Sequence, residues 1–268
     1  GLHQHAVSGF MGTWNFGCSL TLNTYAVGHF LRDPVRNVDA DVFLHSLARA
    51  YFGLEEPAGV VAAWQGFSEA FQQYPFHIRM LYFSPVNDAP AHPLSLRYHD
   101  QPLGGSWMPH EMGDRIEDCL GPFALPEAVE ALAALTEGWN EALGPYRAGL
   151  TRLPPGAASA QRRHAADELR CAEMLGRQWH STWNLFRFHA RRREIMARDG
   201  LSGPCVLPAS PELVAIMRDE IENAERVLQW TREDPRLGYH QEARMHMYDP
   251  ATIQAKIHEM NAELEGSS

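Results

Sequence analysis

The chain has almost no lysine: of its 23 basic residues only Lys256 is one, and the rest are arginines. That bias of composition points to no chemistry by itself. Cysteine is also sparse, with Cys18, Cys119, Cys171 and Cys205 far apart and no Cys-x-x-Cys pair. A dense disulfide framework is thereby excluded, and idle or buried thiols are expected. No run approaches the ~18 apolar residues of a membrane span, and Gly1-Leu2-His3-Gln4-His5 opens no charged-then-apolar leader. Positive charge falls short of negative, giving a formal net charge of −10. An acidic chain has no general attraction to nucleic acid or anionic membranes, so neither is an expected partner. Arg162-Arg163 and Arg191-Arg192-Arg193 read as solvated helix faces paired with neighbouring Glu.

Catalytic signatures are missing as well. There is no Gly-x-Ser-x-Gly elbow, no P-loop, no Gly-x-Gly-x-x-Gly after a strand and no His-Glu-x-x-His. Carboxylate neighbours such as Glu55-Glu56, Glu117-Asp118 and Asp219-Glu220 diverge on a helix and read as capping or solvation. Repeats of fixed period and low-complexity tracts are absent too.

What is present is helical periodicity. After a short apolar run, Gly9 to Asn15, that reads as one buried strand, apolar residues recur three and four apart. A first helix covers about Ser19 to Leu31, a second follows the Asp39 cap to Gly53, and a third starts at Pro57 and stops at Tyr74-Pro75. Residues 83–123 are rich in Pro, Gly, His and Trp and predict a long, ordered, packed loop. Helices resume at Leu125, with a kink expected at Gly144-Pro145. A very long helix from about Ala157 to Ala197 should pair antiparallel with the preceding one. Ser210-Pro211-Glu212 caps a helix to about Thr231, and Pro250 to Leu264 forms the last. The expected fold is mainly α, a helical array or bundle with long antiparallel helices, one short N-terminal strand-like segment and a long ordered loop. Residues 1–18 form the strand-like segment and 19–268 the helical domain, divided into helices at 19–82, the loop at 83–123 and long helices at 124–268.

Of the polar candidates, His3 and His5 read as terminal sequence. His240, Glu242 and His246 bring imidazoles and a carboxylate near each other without a metal-site spacing, so no metal or cofactor is assigned. His180 and His189, nine residues apart, fall on opposite sides of the long helix and need not cooperate. Among aromatics, Trp14, Trp107, Trp139, Tyr82, Tyr98 and Tyr239 lie near loops or bends where flat rings stack on sugars. Trp64, Trp179 and Trp183 fall on helical stripes and read as core.

Trp14-Asn15-Phe16-Gly17-Cys18-Ser19-Leu20-Thr21-Leu22-Asn23 resembles a stretch of bacterial glycoside-hydrolase-like proteins in which Trp-x-Phe-Gly-x-x-Pro-Ser-x-Asn closes a catalytic TIM barrel and opens a C-terminal helical region. Leu20-Thr21 stands where Pro-Ser is common. Trp64 to Phe76, Asn87 to Leu94 and Asp234 to Ala243 look similar to the same group. The resemblance implies a helical accessory region, a preceding barrel domain as partner, and acid/base residues outside this chain. It also implies a carbohydrate ligand, with contacts from Trp14, Asn15, Asn23, Asn87, His92, Trp107, Tyr239, His240 and Glu242, and no catalytic residue among them. Two alternatives are a helical scaffold dimerising through the long helix, and a metal-dependent helical enzyme using His240, Glu242 and His246.

Overall fold

Hydroxyls and carboxylates start four of the eight α-helices in the computed structural model, which describes residues 21–33, 39–104, 113–238 and 248–266. Thr21 Oγ1 accepts from Thr24 N at the head of α1 (Leu22–Arg32), and Asp39 Oδ1 accepts from Val42 N at the head of α2 (Ala40–Phe52). Each satisfies one of the backbone donors that a first turn leaves without an intrahelical acceptor. α3 (Ala58–Phe71) follows Pro57, and the short α4 (Ile78–Phe83) follows His77, whose Nδ1 accepts from Arg79 N. The helix α5 (Leu125–Leu150) continues through Pro145, and α6 (Ser159–Asp199) runs for 41 residues. Ser210 Oγ caps α7 (Pro211–Glu233) through Leu213 N. Asp249 and Thr252 cap α8 (Pro250–Gly266) reciprocally, each side chain accepting from the other's backbone N–H.

The structure is 72% helical, and among the described residues the strands are β1 (Arg97–Tyr98) and β2 (Cys205–Val206). They pair antiparallel, with Arg97 opposite Val206 and Tyr98 opposite Cys205. The fold is therefore mainly α, as expected. The expected N-terminal strand, Gly9 to Asn15, lies outside the described residues. The β1–β2 pair was not foreseen, because two residues are too few to show an alternating pattern.

The chain divides into two units, 1–69 with 138–173 and 70–137 with 174–268, so both long helices contribute to each. In the first unit, aromatic rings from four helices interlock. Phe67 lies 4.4 Å from Trp139 and 5.4 Å, edge on, from Tyr146, while Tyr51 stacks on His164 at 4.2 Å. Trp139, placed among the ligand-stacking candidates by sequence, is instead core: it is buried, and Nε1 donates to Ala172 O at 2.9 Å. That bond and the Arg147–Glu173 ion pair join α5 to α6 in this unit. Gly149 lets α5 approach α3, since a Cβ there would fall 2.7 Å from Val60 Cγ2. Glu168 accepts from Leu22 N and from the Tyr51 hydroxyl, and burial pushes its carboxyl above the usual range.

The second unit is built on the buried stripe of α6, with Leu185, Phe186, Phe188 and Ile195 all at or below 1% exposure. A separate cluster joins Ala91, Met174, Ala224, Val227, Tyr248 and Ile253. Behind it lies a fully buried polar knot. Lys256 Nζ donates to Glu220 Oε1 at 2.5 Å and to Ala89 O at 2.9 Å, with both charged side chains 0% exposed. Ser181 Oγ and Asn184 Nδ2 each donate to Glu220 at 2.7 Å, and Asn223 Nδ2 donates to Ser181 Oγ. Glu220 was expected to be solvated beside Asp219; instead it is the anion on which three donors converge, Lys256, Ser181 and Asn184. The segment that follows α4 is packed as predicted, through short 3-10 turns at Pro85–Asn87 and Ala89–Ala91 whose side chains are mostly buried.

Candidate functional site

The segment that leaves the Ala89–Ala91 turn passes His92, Leu94 and Arg97, and in the second unit it forms one wall of a cavity of about 430 Å3. α6 supplies Phe188, His189 and Arg192, α8 supplies Glu259 and Glu263, and Gly113 and Asp114 close the margin. Gly113 is required by close approach, because a Cβ would fall 1.9 Å from Pro102 O. On a second face of the same α6 residues lies another cavity of about 420 Å3. His189 and Arg192 line both, and Tyr98, Asp100, Arg115 and Met196 complete its wall.

Most charges at the first cavity are already positioned by the backbone. Asp114 Oδ2 accepts from His99 N at 2.7 Å and Oδ1 from Gln101 N at 3.0 Å. The Arg192 guanidinium meets the same residue, Nη2 donating to Asp114 O at 2.6 Å and Nη1 lying 3.6 Å from Oδ2. Tyr98 covers Arg192, the guanidinium carbon 4.4 Å from the ring centre, and the Tyr98 hydroxyl donates to Asp100. Burial and the Asp100 carboxylate push that hydroxyl's pKa up to about 12. Glu263 accepts from Ser95 Oγ at 2.6 Å and Leu96 N at 2.7 Å, which fixes α8 against the wall. The Ser95 and Asp114 bonds hold side chains in place without a ligand, as a preformed site requires.

In the lining of this cavity two buried polar atoms are without a partner, His189 Nδ1 and Arg192 Nε, on side chains that are 4% exposed. Buried polar groups are nearly always satisfied, so orphans beside a cavity mark where a ligand can be met. Burial, then the Arg192 and His92 charges, hold the His189 imidazole well below its ordinary pKa of 6.5, so the ring is neutral at pH 7. A neutral imidazole presents one donor and one acceptor nitrogen.

The unfolded chain takes up a proton at His189 below about pH 6.5, while the folded chain resists it. Stability is thus fully present above that value and is lost as pH falls below it. His29 in the first unit, lowered by burial and Arg32, acts in the same sense. Urea midpoints measured from pH 8 to pH 5 should fall toward acid in the wild type, and less steeply in His189→Phe; parallel profiles would contradict the assignment.

Of the nine residues predicted to contact carbohydrate, His92 lines this cavity. Asn87 braces the preceding turn, Nδ2 donating to Leu81 O at 3.1 Å, and Asn23 is an exposed residue of α1 in the first unit. Trp14, Asn15, Trp107, Tyr239, His240 and Glu242 lie outside the described residues, as does His246 of the metal alternative. Among the described residues no group of three or more His, Cys, Asp or Glu is placed to hold a metal ion, and no helix is long and apolar enough to cross a membrane. Sequence reasoning missed His189 and Arg192. Arg191 and Arg193 do pair with Glu194, Glu212 and Glu117 on the surface, as the run of three arginines suggested, whereas Arg192 turns inward. The available signal was spacing: His189 and Arg192 are three apart and share a helix face with Phe188 and Ile195 on its buried flank.

Comparison with protein-family models, curated proteins and solved structures finds no match to this chain.

Proposed function

We propose that the chain is a helical accessory region that binds carbohydrate, and that the 430 Å3 cavity of the second unit is where the sugar is held. The observation that carries this reading is the composition of that cavity. It combines imidazoles, guanidiniums and carboxylates with the apolar surface of Leu94 and Phe188. Sugars present hydroxyls that both donate and accept, along with apolar ring faces, so a wall mixing both hydrogen-bond roles with apolar side chains suits them. The volume lies in the range of small-molecule sites. The resemblance of Asn87 to Leu94 to a glycoside-hydrolase-like group supports the same reading, because that stretch leads into the cavity wall. On this reading the region binds and orients, while bond cleavage belongs to a barrel domain.

Isothermal titration of the chain with mono- and oligosaccharides, chosen from a glycan array, tests it. Saturable binding to at least one glycan, weakened in His92→Ala without loss of helical content, is expected. A chain that binds no glycan on the array, or one whose binding ignores His92 and Phe188→Leu alike, would reject the site.

A further inference from the structure

His189 and Arg192 are the two cavity residues that each carry a buried polar atom without a hydrogen-bond partner. Arg192 has both terminal nitrogens directed at Asp114, through the backbone oxygen and Oδ2, while its Nε has no partner. Three residues earlier on the same face of α6, His189 Nδ1 is likewise without a partner. Both side chains are 4% exposed, and both line the cavity.

The chemistry of the two atoms limits what can meet them. A guanidinium N–H only donates. An imidazole nitrogen that carries no proton only accepts. A hydroxyl suits both, since it can accept from Arg192 Nε and donate to His189 Nδ1 when that nitrogen carries no proton. A carboxylate can only accept, so it would need the imidazole proton on Nδ1, and a carboxylate or phosphate alike would bring a negative charge as well. The surroundings give that charge no advantage. Asp114 already balances Arg192, Glu263 is held by Ser95 and Leu96, and the remaining charges at the cavity, Arg97 and Glu259, are exposed and of opposite sign. Taking a further anion from water into such a site is unfavourable.

We infer that His189 and Arg192 form a hydroxyl-reading subsite in the wall of the cavity, one that selects neutral sugars over uronic acids and phosphates. The inference rests on the reading of the cavity as a carbohydrate site, and it names the class of sugar that site takes. Arg192 is oriented for it by Asp114 and Tyr98, and His189 is held in place by burial.

The test is a titration of the 15N-labelled chain, following the imidazole nitrogens by long-range proton–nitrogen spectra. The probes are glucose, galactose, mannose, xylose and N-acetylglucosamine, then glucuronate, galacturonate and inorganic phosphate. At least one neutral sugar should shift the His189 ring nitrogens with saturation, and the acidic probes should do so only at higher concentration. His189→Phe, which keeps a flat ring and removes both nitrogens, should weaken that sugar about three- to tenfold, the effect of one net hydrogen bond. The wild-type spectra carry the test even if the variant fails to fold. A neutral sugar that binds while His189 stays unshifted overturns the subsite and leaves the carbohydrate reading standing. Uronate or phosphate binding more tightly than every neutral sugar overturns the selectivity. No binding by any probe overturns the subsite and the carbohydrate reading together.

Discussion

Lys256→Ala is expected to lower the unfolding free energy by about 3–5 kcal/mol, the loss found when one partner of a buried ion pair is removed. The reason is the carboxylate left behind. Glu220 is 0% exposed, and without the ammonium its charge would be offset only by the neutral donors Ser181 and Asn184. Lys256 also donates to Ala89 O, so the substitution loosens α8 from the turn that precedes His92. Replacing the pair together, Lys256→Met with Glu220→Gln, removes both charges and keeps an amide for Ser181 and Asn184. It should therefore be markedly more stable than Lys256→Ala. Urea unfolding of the three proteins decides the matter. Lys256 being the sole side-chain amine, its labelling by an amine-reactive reagent reports on opening of the same region. A loss below about 1 kcal/mol, the size of an exposed pair, together with rapid labelling, would show that water reaches this knot.

Trp139→Ala should be comparably severe, at about 3–5 kcal/mol for a buried tryptophan truncated to alanine. The ring fills the space between Phe67 and α6, and its nitrogen holds Ala172 O. Trp139→Phe keeps the aromatic contact and loses only that hydrogen bond, so about 1 kcal/mol is expected. Because the residue is core, neither change should alter sugar affinity measured while the protein remains folded. An alanine variant of normal stability that bound glycan weakly would restore Trp139 to the ligand-stacking role that its position near a helix bend suggested.

The helices were legible because their signals are local. Ser210-Pro211-Glu212 names a cap within three residues, and the long helix shows enough turns for its apolar stripe to be unmistakable, so α6 and α7 begin within two residues of where the pattern puts them. The β1–β2 pair could not be read, since it joins residues 97–98 to 205–206 and neither strand has a pattern of its own. Buried charge was illegible for a related reason. Within Arg191-Arg192-Arg193 the three side chains look alike, and what turns the middle one inward is Asp114 and Tyr98, far away along the chain. Asp219-Glu220 behaves the same way. One carboxylate bonds His180 and Arg187 near the surface, while its neighbour, about 100° around the helix, meets Lys256 in the core. His92, named through the resemblance of Asn87 to Leu94, lies in the cavity wall. His189 is set apart from His180 by nine residues of helix, and the residue that shares its cavity is the arginine three residues on.

The most direct measurement is a crystal structure of the chain soaked with whichever neutral sugar binds best. The account predicts the sugar ring in the second unit's cavity, beside His92 and Phe188, with one hydroxyl within hydrogen-bonding distance of both Arg192 Nε and His189 Nδ1. A sugar bound elsewhere, with that cavity holding only water, would contradict it.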